Sequence, residues 1–184
     1  MVIDNLCDQA REGELAVAWL YCDFKTQKEQ TTINMMGAIL KRLVGSEIPE
    51  EIRKAFKDKR RPLLVDLIRI LGVAIASLPQ VFIYIDALDE FLPEDLPKLL
   101  GSLRDIVRAS PTTGIFLTGR PHVGEVIQEY FATAVVIPIS PKADDITNYL
   151  KMRLDKDNKR QAMNQDLRKE IVRNILEKMS DMYV

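Results

Sequence analysis

Three carboxylates at the end of an apolar run give this chain its clearest chemical signal. Residues 81–85 are all apolar, Asp86 follows them directly, and Asp89 and Glu90 come shortly after. A strand that is apolar on both faces is typical of the middle of a parallel sheet. Open α/β sheets bind ligands at the carboxyl ends of their strands, where a carboxylate can hold Mg²⁺ beside the phosphates of a nucleotide. The pattern therefore predicts nucleotide chemistry at these acids.

A second run, IFLTGRPH at residues 115–122, places a cation after another short apolar strand. A guanidinium pairs strongly with phosphate oxygens, so Arg120 could register the terminal phosphate of a nucleotide. The alternative is a turn in which Gly119 supplies backbone freedom and Arg120 only pairs with Asp86 or Asp89. His122, the single histidine, is expected at the surface or in a cap and not as a catalytic base.

The stretch VFIYIDALDE, residues 81–90, resembles the Walker B element of a P-loop NTPase. Its usual partner is the phosphate loop GxxxxGK[ST], and the sequence contains no match to that pattern. The loop normally supplies backbone N–H donors, a helix N-terminus and a lysine to the triphosphate. We therefore expect this chain by itself to be inactive in nucleotide hydrolysis.

Composition is that of an ordinary globular chain, and the sequence predicts one domain over residues 1–184. The 26 basic and 27 acidic residues leave a net charge of −1, which gives no general attraction to nucleic acid or to an anionic membrane. No apolar run approaches the ~20 residues that span a bilayer. The N-terminus lacks the features of a signal peptide, so a cytoplasmic location is expected. Cys7 and Cys22 are expected to be reduced, buried thiols.

Apolar periodicity predicts strands that alternate with helices. Thr31 is a predicted N-cap for a helix that runs to about Val44 and closes at Gly45. Met35 and Met36 are expected in the core. The predicted strands are residues 16–24, 81–85, 114–118 and 135–139, and the further predicted helices cover residues 2–10, 64–75, 96–107, 123–131, 144–154 and 166–179. This alternation predicts an α/β fold whose parallel sheet carries helices on both faces.

Two further sets of residues have a functional and a structural interpretation. Trp19, Tyr21 and Phe24 could form a base-stacking platform, but on a strand of this pattern the expectation is a place in the core. Residues 48–62 hold a basic cluster that could contact phosphates, and the simpler interpretation is a solvated helical face and loop. Its basic residues are Arg53, Lys54, Lys57, Lys59, Arg60 and Arg61.

Four blocks together resemble the NACHT NTPase domain of STAND proteins, in the form with a nephrocystin-3-like N-terminal region that is common in fungal receptors. The blocks are AWLYCDFKTQKEQTTINMMGAILKRLV, VFIYIDALDE, IFLTGRPH and PISPKADDITNYLKMRL. The resemblance implies a three-layer P-loop NTPase fold without its first, phosphate-loop strand, so that the chain would start after the Walker A loop and end before the helical and winged-helix region. It also implies a nucleotide-gated switch in immune or cell-death signalling.

Carried over by position, the resemblance implies roles for four residues. Asp86 would be the ligand of Mg²⁺ beside ATP or GTP, and Arg120 the sensor of the nucleotide. Asp89 and Glu90 would be the catalytic acids, one of which would orient the attacking water. Two functions stay open at this point: a partial nucleotide-binding switch domain, and a non-enzymatic module that pairs with full-length NACHT chains through exposed sheet edges. Protein partners are expected in both cases, with nucleotide as a possible ligand.

Overall fold

The structure is a computed structural model that describes residues 15–45, 50, 53–54, 62–139, 142–156 and 164–182, with side chains described to residue 178. The chain divides into two compact units, Met1–Ala134 and Val135–Val184. The prediction of one domain over residues 1–184 stays a prediction, because two compact units can belong to one domain. Each unit is described by itself below.

The first unit is built on a parallel sheet of three strands in the order β1-β2-β3. Strand β1 is Ala16–Tyr21, β2 is Val81–Asp86 and β3 is Thr113–Leu117. Trp19, Tyr84 and Phe116 lie opposite one another across the three strands. The prediction of an α/β fold with a parallel sheet flanked by helices is confirmed.

The helices of this unit begin and end where local chemistry indicates. Helix α1 is Thr32–Val44, with the Thr31 hydroxyl accepting a hydrogen bond from the Asn34 amide and Gly45 as its C-cap, as predicted. Helix α2 is Leu64–Ala76, α3 is Leu96–Ala109 and α4 is Gly124–Tyr130. Helix α1 packs against β1 and α2, and α3 packs against β3. These contacts hold α1 against β1 and α3 against β3.

The core lies between one face of the sheet and these helices. Side chains alternate between faces along each strand, so Ala18, Leu20, Ile83 and Ile85 all point to the same side. The four are at most 7% exposed. Met35 and Met36 of α1 are also buried, as expected. The connections from β1 to β2 and from β2 to β3 advance in the same direction across the sheet, so the usual right-handed crossover places α1, α2 and α3 together on one face.

The second unit contains two amphipathic helices. Helix α5 is Ala143–Lys156 and α6 is Gln165–Met182, and the two pack against each other. Arg168 of α6 donates to Asp155 at 2.8 Å and to the Leu154 carbonyl at 3.0 Å, which ties the end of α5 to the start of α6. No described helix of either unit is long and apolar enough to cross a membrane.

Two predicted strands differ from the structure. Residues 135–139 form no strand, and Val135, Val136, Ile137 and Ile139 are 64–87% exposed. Their β-prone sequence does not suffice because a strand requires a hydrogen-bonded neighbour, and Pro138 lacks the N–H to donate. Strand β1 ends at Tyr21 and not at Phe24, because Asp23 caps a 3-10 helix that begins at Phe24.

Other predictions lie wholly or mostly outside the described residues. The predicted helix at residues 2–10 and Cys7 fall there, as does most of the basic interval at residues 48–62. Within that interval Arg53 is described, and it pairs with Glu50 at 3.5 Å on an exposed helical turn.

Candidate functional site at the carboxyl edge of the sheet

Asp86 is the last residue of the central strand, and its carboxylate joins β2 to the end of β3. Its Oδ1 accepts hydrogen bonds from the Ala87 amide at 3.1 Å and from the Thr118 hydroxyl. Ala87 adopts a left-handed conformation with φ of 54°, which turns the chain sharply after the strand. The Leu88 amide then donates to the Thr118 carbonyl at 2.8 Å. Thr118, which the sequence places only as a strand end, is thus a direct partner of the central acid.

Asp89 holds the chain segment that follows β3. One carboxylate oxygen accepts from the Arg120 amide at 3.2 Å, and the other pairs with the Arg120 guanidinium Nε at 3.2 Å. The Asp89 side chain is only 9% exposed, whereas that of Arg120 is 75% exposed. A Cβ atom on Gly119 would lie 2.9 Å from Val123 Cγ2 and 3.4 Å from the Asp89 amide, so this segment approaches too closely for a larger residue. The pairing of Arg120 with Asp89 is one of the alternatives that the sequence left open.

Glu90 contacts the segment that follows β1. Its Oε2 accepts from the Phe24 amide at 2.9 Å, and the Glu90 carbonyl accepts from the Gln27 side chain at 3.1 Å. This carboxylate therefore satisfies the first orphan amide of the 3-10 helix Phe24–Glu29. Sequence reasoning missed the contact, because Glu90 and Phe24 are 66 residues apart and no local signal connects them.

The structure thus brings all four predicted site residues to one edge of the sheet. His122 is exposed in a short 3-10 helix, Pro121–Val123, as expected for a surface residue. The roles of Asp89 and Glu90 as catalytic acids stay predictions. In this arrangement each of the two acids already holds a backbone amide of a neighbouring segment.

The carboxylates make this edge electronegative. The charge of Glu90, followed by desolvation and the charges of Asp23, Asp86 and Asp89, raises the pKa of Tyr21 above its ordinary value. Burial, with smaller contributions from Glu90, Asp86 and Asp89, raises the pKa of Cys22 to about 12. Cys22 is fully buried and free, as expected, and its thiol stays protonated at neutral pH.

Asp86 is the acid that fits a magnesium ion. Ala87 and Thr118 both donate to its Oδ1. Burial, followed by the charge of Asp86 and a side-chain hydrogen bond with it, raises the pKa of the neighbouring Tyr84. Both oxygens of Asp89, by contrast, are engaged by Arg120. Magnesium in nucleotide sites is commonly held by one or two carboxylates together with water and phosphate oxygens, so a single carboxylate at the end of the central strand is compatible with it. The described residues contain no group of three or more His, Cys, Asp or Glu placed to hold a metal by themselves.

The aromatic residues next to this edge lie outside the core, contrary to expectation. Trp19 is 40% exposed, Tyr21 is 57% exposed and Phe24 is 72% exposed. Trp19 and Tyr21 alternate with the buried Ala18 and Leu20, so they point to the sheet face opposite α1, α2 and α3. Phe24 lies beyond the strand on the 3-10 helix. The expected place in the core is therefore wrong for all three, and for Trp19 and Tyr21 the reason is that α1, α2 and α3 cover the other face of the sheet.

Fold and site together define an α/β protein with a parallel sheet whose carboxyl edge is lined with acids and bounded by an arginine. More particularly, the chain belongs to the nephrocystin 3 N-terminal family, whose model matches residues 1–120. The match includes every strand of the sheet and all four predicted site residues. No curated protein and no solved structure gives a significant match to the chain.

Proposed function

We propose that this chain is part of the nucleotide-binding switch domain of a cytoplasmic signalling protein of the STAND type with a NACHT domain. The observation that supports the proposal most directly is the position of Asp86. It ends the central strand, and Ala87 and Thr118 orient its carboxylate through Oδ1. That is where a parallel sheet presents ligands to bound nucleotides.

In this proposal the Asp86 carboxylate would hold Mg²⁺, and the ion would neutralise charge on the phosphates of ATP or GTP. Arg120 acts as the sensor. Its guanidinium is 75% exposed and pairs with Asp89 in this structure, and a phosphate would compete with Asp89 for it. The amide of Arg120 is held by Asp89 independently of its side chain, so the guanidinium can exchange partners while the backbone stays in place.

Hydrolysis is not part of the proposed function of this chain. The sequence has no GxxxxGK[ST] run, and that loop supplies most donors to a triphosphate. Asp89 and Glu90 would have to release backbone amides before either could orient water. Binding without turnover is what the available groups support, and its affinity is expected in the millimolar range, on the order of −4 kcal/mol.

Isothermal titration with magnesium-ATP and magnesium-GTP tests the proposal. The wild-type chain should bind with an affinity that depends on magnesium, and Asp86→Asn should lose that dependence. Glu94→Gln is the matched control, because Glu94 is an exposed acid away from the strand ends. Arg120→Ala should reduce the preference for the triphosphate over the diphosphate. No binding at millimolar nucleotide, or equal binding by the wild type and Asp86→Asn, would refute the proposal.

A second candidate function, a non-enzymatic module that pairs with other NACHT chains, is favoured by the open edge of β3. Because ladder bonds alternate along a parallel strand and Thr118 donates to Ile85, the even-numbered residues of β3 face β2. Ile115 and Leu117 then direct their N–H and C=O groups away from β2, and they form no backbone hydrogen bond with other described residues outside the sheet. The edge sequence TGIFL carries no charge or proline to discourage strand addition.

Mixing this chain with a full-length NACHT protein and measuring complex formation by light scattering tests the second candidate. Ile115→Pro removes an outward N–H and keeps the bonds to β2, so it should abolish a complex formed through the edge. Val73→Thr is the control, since Val73 is 67% exposed and lies on α2, outside the sheet. A complex that survives Ile115→Pro is not formed by strand addition to β3.

A further inference from the structure

The outer face of the sheet, here called the aromatic face, consists of Trp19, Tyr21, Tyr84 and Phe116 with Phe82 beside them. Trp19, Tyr84 and Phe116 form one row across the three strands. The rings of Tyr84 and Phe116 stack with centroids 5.2 Å apart and planes inclined by 13°. Phe82 lies across Gly114, where a Cβ atom would be only 2.7 Å from its ring. The strands therefore assemble these rings into a continuous apolar surface.

Exposure separates this surface from the core. Tyr84 in the middle of the row is 8% exposed, whereas its neighbours Trp19 and Phe116 are 40% and 37% exposed and Tyr21 is 57% exposed. A sheet face that only meets water usually alternates into polar side chains. Large aromatic residues in that position are typical of surfaces that bind another protein.

Charge around the aromatic face indicates the chemistry of its partner. At the carboxyl end Tyr21 lies opposite Asp86 in the sheet register, and the acids Asp23 and Glu90 border the same corner. The charge of Glu90, followed by desolvation and the other carboxylates, raises the pKa of Tyr21. Nucleic acid and anionic lipid surfaces would be repelled there, whereas Lys and Arg side chains would be attracted.

The structure already shows how a cation packs on these rings. The Arg42 guanidinium of α1 lies over the Trp19 ring, 3.7 Å from its centroid. Such contacts are stabilising at exposed sites and become stronger when a partner excludes water. An arginine or lysine from outside could bind Tyr21 or Phe116 in the same manner.

We infer that the aromatic face is a docking surface for a basic amphipathic helix of a partner protein. The apolar stripe of the helix would cover the row of Trp19, Tyr84 and Phe116, as α1 and α3 cover the other face of the sheet. Its Lys and Arg residues would lie toward Asp86 and Glu90. Recognition of a helix through an apolar stripe with charged flanks is a common mode of peptide binding.

Trp19 provides the measurement, because it is the only tryptophan and lies in the row itself. The probe is a synthetic amphipathic helical peptide of leucine and lysine, and its comparison is the same pattern built of leucine and glutamate. The lysine peptide should bind saturably, shift Trp19 emission to shorter wavelength and weaken as salt is added. Phe116→Thr should weaken binding at least tenfold, and Val73→Thr, an exposed control on α2, should leave it unchanged.

Several results would overturn the inference. One is equal binding of the glutamate peptide, which would show an apolar surface without charge selection. Another is unchanged peptide affinity in Phe116→Thr. If circular dichroism shows that Phe116→Thr does not fold, Tyr21→Ser replaces it, because Tyr21 is mostly exposed. Protection of Trp19 from acrylamide quenching in the free chain would also overturn the inference. Protection that persists on dilution would show that the chain covers its own aromatic face. Protection that increases with protein concentration would show that a second copy covers it.

Discussion

Replacing Asp89 should destabilise the first unit far more than replacing Arg120, although the two side chains form an ion pair. Asp89→Ala removes an acceptor from the Arg120 amide and from its guanidinium, in a side chain that is only 9% exposed. Hydrogen bonds to charged groups contribute about 1.5–3 kcal/mol, so a loss of about 2 kcal/mol is expected. Arg120→Ala removes only the exposed ion pair, which is worth about 0–1 kcal/mol.

Urea unfolding followed by Trp19 fluorescence measures this difference, because Trp19 lies in β1 of the first unit. In thermal unfolding, a loss of 1 kcal/mol corresponds to about 2–4 °C for a chain of this size. Asp89→Ala should therefore lower the melting temperature by about 4–8 °C. Hydrogen exchange at the Arg120 amide should also become faster in Asp89→Ala and stay slow in Arg120→Ala. Equal destabilisation by the two substitutions would refute the reasoning, because it would assign the energy to the ion pair and not to the backbone bond.

Three other predictions concern the cap, the core and the buried thiol of the first unit. Thr31→Ala should cost about 1 kcal/mol in urea unfolding, since the hydroxyl caps the Asn34 amide, and Thr31→Ser should restore it. Ile83→Ala, at a fully buried position of β2, should cost about 2–5 kcal/mol, whereas Val73→Ala on the exposed side of α2 should cost well under 1 kcal/mol. In a Cys7→Ser background, Cys22 should resist alkylation at pH 8 and should react once urea unfolds the chain. The reason is that folding raises the pKa of the thiol from 9.0 to about 12, which lowers the thiolate fraction about a thousandfold. Alkylation of the folded chain at the rate of the unfolded chain would contradict this prediction.

The raised pKa of Cys22 also predicts in which direction the free energy of unfolding changes with pH. A folded-state pKa above the unfolded value means that folding favours the protonated form, so the contribution is complete below pH 9 and is lost as the pH rises toward 12. Comparison of the wild type with Cys22→Ala across this range isolates the contribution, and the wild type should lose stability more steeply. A parallel course of the two curves would show that Cys22 does not contribute.

Sequence predicted the elements whose signals are local. The Thr31 cap and the Gly45 terminus of α1 depend on a hydroxyl, an amide three residues away and a glycine, all of which can be recognised in the sequence. The sequence also predicted that Asp86 and Arg120 lie at one edge of the sheet, because the carboxyl ends of parallel strands meet at the same edge. Contacts between distant segments, such as Glu90 with the Phe24 amide, carry no local signal and required the structure.

The predicted strand at residues 135–139 and the predicted burial of Trp19 and Tyr21 failed for one physical reason. Both depend on which elements pack beside the segment, and the local sequence does not specify those elements. Residues 135–139 have the composition of a strand, yet they join no sheet with other described residues and are exposed and irregular. Trp19 and Tyr21 do lie on a strand, but burial depends on which face the helices cover. Composition and periodicity specify that two faces exist, and they do not specify which of two apolar faces receives the helices.

The three acids of VFIYIDALDE differ in their hydrogen-bond partners. This difference decides at which acid a substitution can test nucleotide binding without also testing stability. Glu90 is engaged by Phe24, and Asp89 is engaged by both the amide and the side chain of Arg120. These two tie the ends of β1 and β3 to the end of β2, so their substitution would alter stability as well as any binding. Asp86 accepts from Ala87 and Thr118 through Oδ1 alone, and Asp86→Asn retains an oxygen acceptor for both donors. A loss of nucleotide binding in Asp86→Asn without a loss of stability would therefore be specific to the site, whereas the same loss in Asp89 or Glu90 variants would not distinguish chemistry from architecture.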